Sequence, residues 1–259
     1  MPRFTANVSI LFSEHAFLDR FAAARDAGFT AVECWFPDEH GPQEIRQRLD
    51  DYGLTMVGIN TSRGTDDEFG LAAVPGREAA FRTAMDRALD HAALFDNCAI
   101  HVMAGTVGAA GQDAAMHIFR DNLTTALRLA EGTGIQLLIE PLNSHDRPGY
   151  ALSTVAQAAE IIDSAGLHAL RIMFDCYHVA MEGGDVIAQM HAVWPKIGHI
   201  QFAGVPARGV PSEGRVDYTT VFAEIDRLGW PGWVGAEYRA DVSTPENLAW
   251  LGRFGTVSR

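Results

Sequence analysis

Residues Thr133–Pro141 read "TGIQLLIEP". The Thr-Gly pair is a helix stop. The apolar run that follows reads as a strand, and a carboxylate, Glu140, closes it. Three later stretches repeat this layout. "RIMFDCYH" (Arg171–His178) ends its apolar run in Asp175, "GHIQFAG" (Gly198–Gly204) carries Gln201, and "WVGAEY" (Trp233–Tyr238) reaches Glu237. The four polar residues stand 35, 26 and 36 positions apart, each step close to one strand-plus-helix unit.

Extending the reading to the whole chain gives eight such apolar runs: Phe4–Val8, Ala31–Phe36, Leu54–Ile59, Ala99–Ala104, Ile135–Glu140, Leu170–Asp175, Gly198–Ala203 and Trp233–Tyr238. Helical spacing fills the intervals. Asp113–Ala130 places Ile118, Phe119, Leu123, Ala126 and Leu127 on one broad face. Thr154 and Gln157 have capping-box spacing, with Gly166 as the stop beyond that helix. Strands alternating with helices imply a parallel sheet, and eight units in 259 residues predict a single α/β domain over 1–259, a (β/α)8 TIM barrel with its active site at the C-terminal strand ends. The alternative is an open doubly wound sheet, but no GxGxxG follows the first strand. Two long connections, after the third and seventh runs, fall on the side where a barrel keeps its site.

Composition narrows the function. The net charge of −13, from 20 basic and 33 acidic residues, disfavours a nucleic-acid partner. Cys34, Cys98 and Cys176 form no Cys-x-x-Cys pair, which argues against a disulfide scaffold or a structural zinc site. No leader pattern or long apolar span is evident, so a cytoplasmic protein with no membrane contact is expected. The helices that would surround such a barrel leave a homo-oligomer open.

The last four strands therefore each present one oxygen donor at a common mouth: Glu140, Asp175, Gln201 and Glu237. Each could instead be a helix cap or a solvated loop residue. Three converging carboxylates would repel one another unless a cation lay between them. Carboxylates with an amide oxygen and no thiolate suit a hard ion, Mg²⁺ or Mn²⁺. His178, three residues beyond Asp175, suits a substrate donor. His101 faces the mouth or the layer below it and is a candidate substrate contact with His178, and His199 lies on the same inward face as Gln201 as support or packing. Arg208, in the long loop after the seventh strand, would neutralise an anionic substrate. Glu33 and Asn60 are possible wall residues. There is no GxSxG elbow, no P-loop and no strand-end lysine for a Schiff base.

The ordered set "IEPLN", "DCYH", "GHIQFAGVPARG", "PSEGRVDY" and "GWVGAEY" resembles the hydroxypyruvate isomerase family, within the xylose isomerase-like barrels. The likeness runs from "RFTANVSILF" to the closing helix. "MPRFTANVS", "RFAAARDAGF", "HVMAG" and "QFAGVPAR" look closest to 2-oxo-tetronate isomerases, whereas "IEPLNSHDRPGY" and "DCYH" look closer to hydroxypyruvate isomerases. The resemblance implies that Glu140, Asp175, Gln201 and Glu237 hold the divalent ion and that Glu140 and Glu237 are the catalytic acid/base pair. The expected reaction is an intramolecular oxidoreduction, hydroxypyruvate to tartronate semialdehyde or its equivalent on a longer 2-oxo sugar acid, by proton transfer through an enediolate. The small-molecule substrate would be a 2-oxo acid or sugar acid. Many related sugar epimerases carry histidine where Gln201 stands; a ketose 3-epimerase acting on a neutral sugar is the alternative.

Overall fold

All eight apolar runs fold as parallel strands, and the sheet closes on itself in the order β1 to β8. The strands are β1 Arg3–Asn7, β2 Ala31–Cys34, β3 Thr55–Asn60, β4 Ala99–His101, β5 Leu137–Ile139, β6 Arg171–Asp175, β7 Ile197–Phe202 and β8 Trp233–Ala236. The computed structural model describes residues 1–35, 37, 40–96, 98–108, 111–164, 166–241 and 243–254. Phe36, assigned to the second strand from sequence, lies outside the described residues. This is the (β/α)8 barrel that the alternating pattern implies.

Among the described residues the helices are α1 Arg20–Asp26, α2 Pro42–Tyr52, α3 Glu78–Leu94, α4 Gln112–Ala130, α5 Val155–Asp163, α6 Cys176–Met181, α7 Val186–Val193, α8 Tyr218–Arg227 and α9 Ala249–Phe254. In α4, Phe119, Leu123 and Ala126 of the expected face are buried, while Ile118 and Leu127 at its edges are only partly so. α5 starts with the expected capping box: Thr154 Oγ1 accepts from the Gln157 N–H at 3.2 Å, and Gln157 Oε1 accepts from the Thr154 N–H at 3.1 Å. Where the barrel closes, Phe4, Phe202, Phe222 and Trp250 meet edge to face, clamping α8 and α9 to the strands.

Strand β4 is shorter than its apolar run because the backbone beyond His101 takes other partners. The Met103 N–H donates to Thr61 Oγ1, and the Met103 and Ala104 carbonyls accept from Ala72 and Ala73. The long segment after β3 is thereby stitched across the barrel mouth.

Register sets which residues share that mouth. Asn7 pairs with Glu33, Asn60 with His101, Asp175 with Gln201, and Gln201 with Gly235. Between β6 and β7 the register shifts once, as Ile172 opposes Ile197 but Met173 opposes His199. Gly198 is the residue passed over. A Cβ there would stand 2.5 Å from Arg171 Cβ and 2.7 Å from Leu138 Cδ2, so the bulge needs glycine.

Candidate active site

A polar side chain stands at the C-terminal end of each strand or one residue from it: Asn7, Glu33, Asn60, His101, Glu140, Asp175, Gln201 and Glu237 in strand order. All are buried except Asn60, which is partly so. Asn60, His101, Glu140 and Glu237 line a cleft of about 390 Å³ together with His178 and Arg208.

Asp175 ends β6 and caps α6, with Oδ1 accepting from the Tyr177 N–H at 2.8 Å. Its Oδ2 is buried with no hydrogen-bond donor among the described residues, and the same holds for Glu140 Oε1 and Gln201 Oε1. Burial raises the Asp175 carboxyl to about 7 against the opposing pull of Arg208. Burial also pushes Glu140 well above the carboxylate range, helped by the charges of Glu237 and Asp175.

Glu237, one residue beyond β8, is supplied with donors. Its Oε1 accepts from Asn7 Nδ2 at 2.9 Å and from the Trp35 indole, and its Oε2 from Arg208 Nη2 at 2.5 Å. Burial raises its pKa and Arg208 opposes the rise. Arg208 Nη2 also lies 3.7 Å from Asp175 Oδ2. The arginine reaches inward from a loop closed by an antiparallel bridge between Gly204 and Gly209, with its own backbone in the left-handed region (φ 54°).

His178 Nδ1 accepts from the Asn143 backbone N–H at 3.0 Å and lies 2.6 Å from Asn143 Nδ2. Burial, with Arg208 and His101 nearby, lowers its pKa well below the usual value and keeps the ring neutral. With Nδ1 accepting, the proton belongs on Nε2, which faces Asp175 Oδ2 at 3.6 Å and Glu140 Oε1 at 3.9 Å. His101, driven by burial down to about 3, is also neutral, with Nδ1 3.3 Å from Glu140 Oε2.

The structure brings Glu140, Glu237, His178, His101 and Arg208 to one cleft, with Asp175 within reach of Glu140, His178 and Arg208, and Gln201 beside Asp175 on the next strand. The donor atoms of Glu140, Asp175 and His178 lie within 4.8 Å of one another, close enough to hold one metal ion. The unpartnered oxygens of Glu140, Asp175 and Gln201 suit a hard cation, since buried acceptors without donors cost about 1–3 kcal/mol each. His199 and Glu33 lie below, with His199 Nε2 2.6 Å from Glu33 Oε2. Asn60 is in the cleft wall.

The sequence reading missed Asn7, Trp35 and Asn143. Asn7 follows the same rule as the later strands, a polar residue ending an apolar run. Trp35 and Asn143 look apolar-adjacent or loop-like in sequence, and only the closed barrel brings them to the site. The three cysteines are buried and free, so none joins a disulfide.

Residues 21–254 match the family described as xylose isomerase-like TIM barrel. A 2-oxo-tetronate isomerase of Cupriavidus necator is 45% identical over 97% of this chain and 98% of its own length. The hydroxypyruvate isomerase of Escherichia coli is 35% identical over 97% and 98%. The crystal structure of an AP endonuclease, family 2, from Brucella melitensis is 34% identical, with a TM-score of 0.94 over 98% of this chain and 99% of that one. A D-psicose 3-epimerase from Clostridium cellulolyticum, 16% identical with a TM-score of 0.76 over 96% and 90%, shares the fold alone.

Proposed function

This chain belongs to the xylose isomerase-like TIM barrel family, and from that premise we propose that it is a metal-dependent sugar-acid isomerase. It moves the carbonyl of a 2-oxo acid to the neighbouring carbon. The 45% identity to a 2-oxo-tetronate isomerase supports 2-oxo-tetronate as the first substrate to test, and the 35% identity to a hydroxypyruvate isomerase supports hydroxypyruvate as the second.

The observation that carries the reading is the set of three unpartnered buried oxygens on consecutive strands, Glu140 Oε1, Asp175 Oδ2 and Gln201 Oε1. With Glu237 they form our candidate ligand set for Mg²⁺ or Mn²⁺. The ion, when bound, supplies positive charge to the two adjacent substrate oxygens on which negative charge develops. Glu237 and Glu140, at the ends of β8 and β5, are the acid/base pair. One carboxylate takes the carbon-bound proton and returns it to the adjacent carbon. Asn7, Trp35 and Arg208 hold Glu237 in one orientation for that transfer. His178, neutral with its proton on Nε2, donates to a substrate oxygen, and His101, with Nδ1 3.3 Å from Glu140 Oε2, is a second candidate substrate contact.

An acid substrate fits the rim better than a neutral ketose. Arg147 and Arg239, both exposed, line the cleft with Arg208. Arg147 lies 3.6 Å from the centre of the Phe69 ring, and Arg239 donates its backbone N–H to the Arg208 carbonyl at 2.7 Å. An acidic floor below a basic rim orients a molecule carrying a carboxylate at one end. The net charge of −13 disfavours a nucleic-acid substrate. No described helix is long and apolar enough to cross a membrane. We place the enzyme in the reducing cytoplasm, as one domain over residues 1–259, on its free buried cysteines and single barrel pattern.

The test is proton-exchange NMR on metal-loaded protein with a panel of 2-oxo acids and ketoses. Metal-dependent exchange and carbonyl migration on the acids support the reading. Epimerisation of fructose or tagatose, with inert acids, selects the epimerase alternative.

A further inference from the structure

Beside the proposed metal ligands lies a buried network centred on Glu33, a residue that none of the roles above uses. Glu33, at the mouth end of β2, accepts from Gln201 Nε2 at 2.7 Å through Oε1, and its Oε2 is 2.6 Å from His199 Nε2. Asn7 Nδ2 stands 3.4 Å from the same Oε1 while donating to Glu237. All four side chains are buried. The Gln201 amide thus turns its NH₂ group to Glu33. That contact sets the flip of Gln201 and leaves its carbonyl oxygen buried and unpartnered among the described residues.

The neighbouring strand is shaped around this contact. Gly235 is the register partner of Gln201. A Cβ on Gly235 would lie 2.6 and 2.8 Å from the two Glu33 oxygens and 3.0 Å from Gln201 Cγ. β8 therefore carries no side chain where the Glu33 carboxylate crosses to reach β7.

We propose that Glu33 is the positioning residue for Gln201: held by His199 and admitted by Gly235, it locks the amide so that only the oxygen can meet a divalent ion, and it polarises that oxygen through the N–H it accepts. This rests on the reading of Gln201 as a metal ligand.

The experiment is Mn²⁺ affinity by EPR on the full chain, without substrate, for the wild type, Glu33→Gln, Gln201→Ala and the double variant. Glu33→Gln is expected to weaken Mn²⁺ binding about 10-fold or more in the wild-type background, the usual cost of losing a ligand's support. In the Gln201→Ala background it should change affinity less than about 2-fold, because the group it acts through is gone. Wild-type affinity in Glu33→Gln, or the same loss in both backgrounds, overturns the proposal; the second result would make Glu33 only a nearby charge. Wild-type affinity in Gln201→Ala instead overturns the ligand reading on which it rests. Should Glu33→Gln fail to fold, Gly235→Ala displaces the same carboxylate without removing a charge. It is expected to weaken Mn²⁺ binding by a comparable factor, and unchanged affinity in a folded Gly235→Ala protein contradicts the proposal.

Discussion

Arg208 Nη2 lies 2.5 Å from Glu237 Oε2 and 3.7 Å from Asp175 Oδ2, so one loop-borne guanidinium bridges the carboxylates at the ends of β8 and β6. The loop after β7 is thus part of the site's charge balance. It brings a cation to a floor that would otherwise hold only acids and neutral groups.

Arg208→Ala is expected to raise KM for 2-oxo acids by about 10-fold or more, the scale of a lost charge-assisted hydrogen bond. Neutral ketoses, tested as slow substrates or inhibitors, should be affected less. Equal losses on both classes would reject a substrate-binding role and leave Arg208 as a partner of Glu237 alone. Steady-state kinetics on a matched acid and ketose decides.

Glu237→Gln keeps the volume of the side chain and one acceptor oxygen. It should retain the fold, seen as an unchanged far-ultraviolet circular dichroism spectrum. Turnover should fall by about 10²–10⁴, as for other lost acid/base groups. Near-wild-type turnover would remove Glu237 from the proton transfer.

The metal-free protein should show a distinctive pH dependence. Burial raises the folded-state pKa of Asp175 to about 7, and that of Glu140 also lies above its ordinary value. A carboxyl raised on folding contributes stability that is full below its unfolded pKa, about 4, and is lost as pH climbs through the folded value. A bound cation reverses that loss. The rise in Tm on adding Mn²⁺ should therefore be larger at about pH 7.5 than at about pH 5. Equal increments at both would contradict the coupling between this site and a cation.

Gly198→Ala tests the bulge that sets the register of β7. The added Cβ meets Arg171 Cβ and Leu138 Cδ2 inside van der Waals contact. A loss of about 1–3 kcal/mol in urea unfolding is expected from overpacking. Mn²⁺ affinity should fall as well, since His199 and Gln201 follow the bulge. A variant as stable as the wild type would show that the strand repacks without glycine.

The barrel was legible because its signal repeats. Each strand is a short apolar run, and Glu140, Asp175, Gln201 and Glu237 recur at intervals close to one β/α unit. Asn7 obeys the same rule, yet an asparagine after "RFTA" has no carboxylate to draw notice. Strand ends were less legible: the run Ala99–Ala104 stops pairing at His101 because Thr61, Ala72 and Ala73, distant in sequence, claim its backbone. The position of His199 inward of Gln201 was readable from the period of a strand, but its partner Glu33 lies 166 residues away. Only closure of the sheet makes them neighbours, and no local pattern encodes that contact.

The most direct test of the central claim is ¹H NMR of metal-loaded protein with 2-oxo-tetronate in D₂O, run beside an EDTA-treated sample. The account predicts deuterium exchange at the carbon next to the carbonyl together with carbonyl migration. Both should vanish with EDTA and return on adding Mg²⁺ or Mn²⁺. Metal-independent turnover, or no exchange on 2-oxo-tetronate or hydroxypyruvate while a neutral ketose is epimerised, would contradict it.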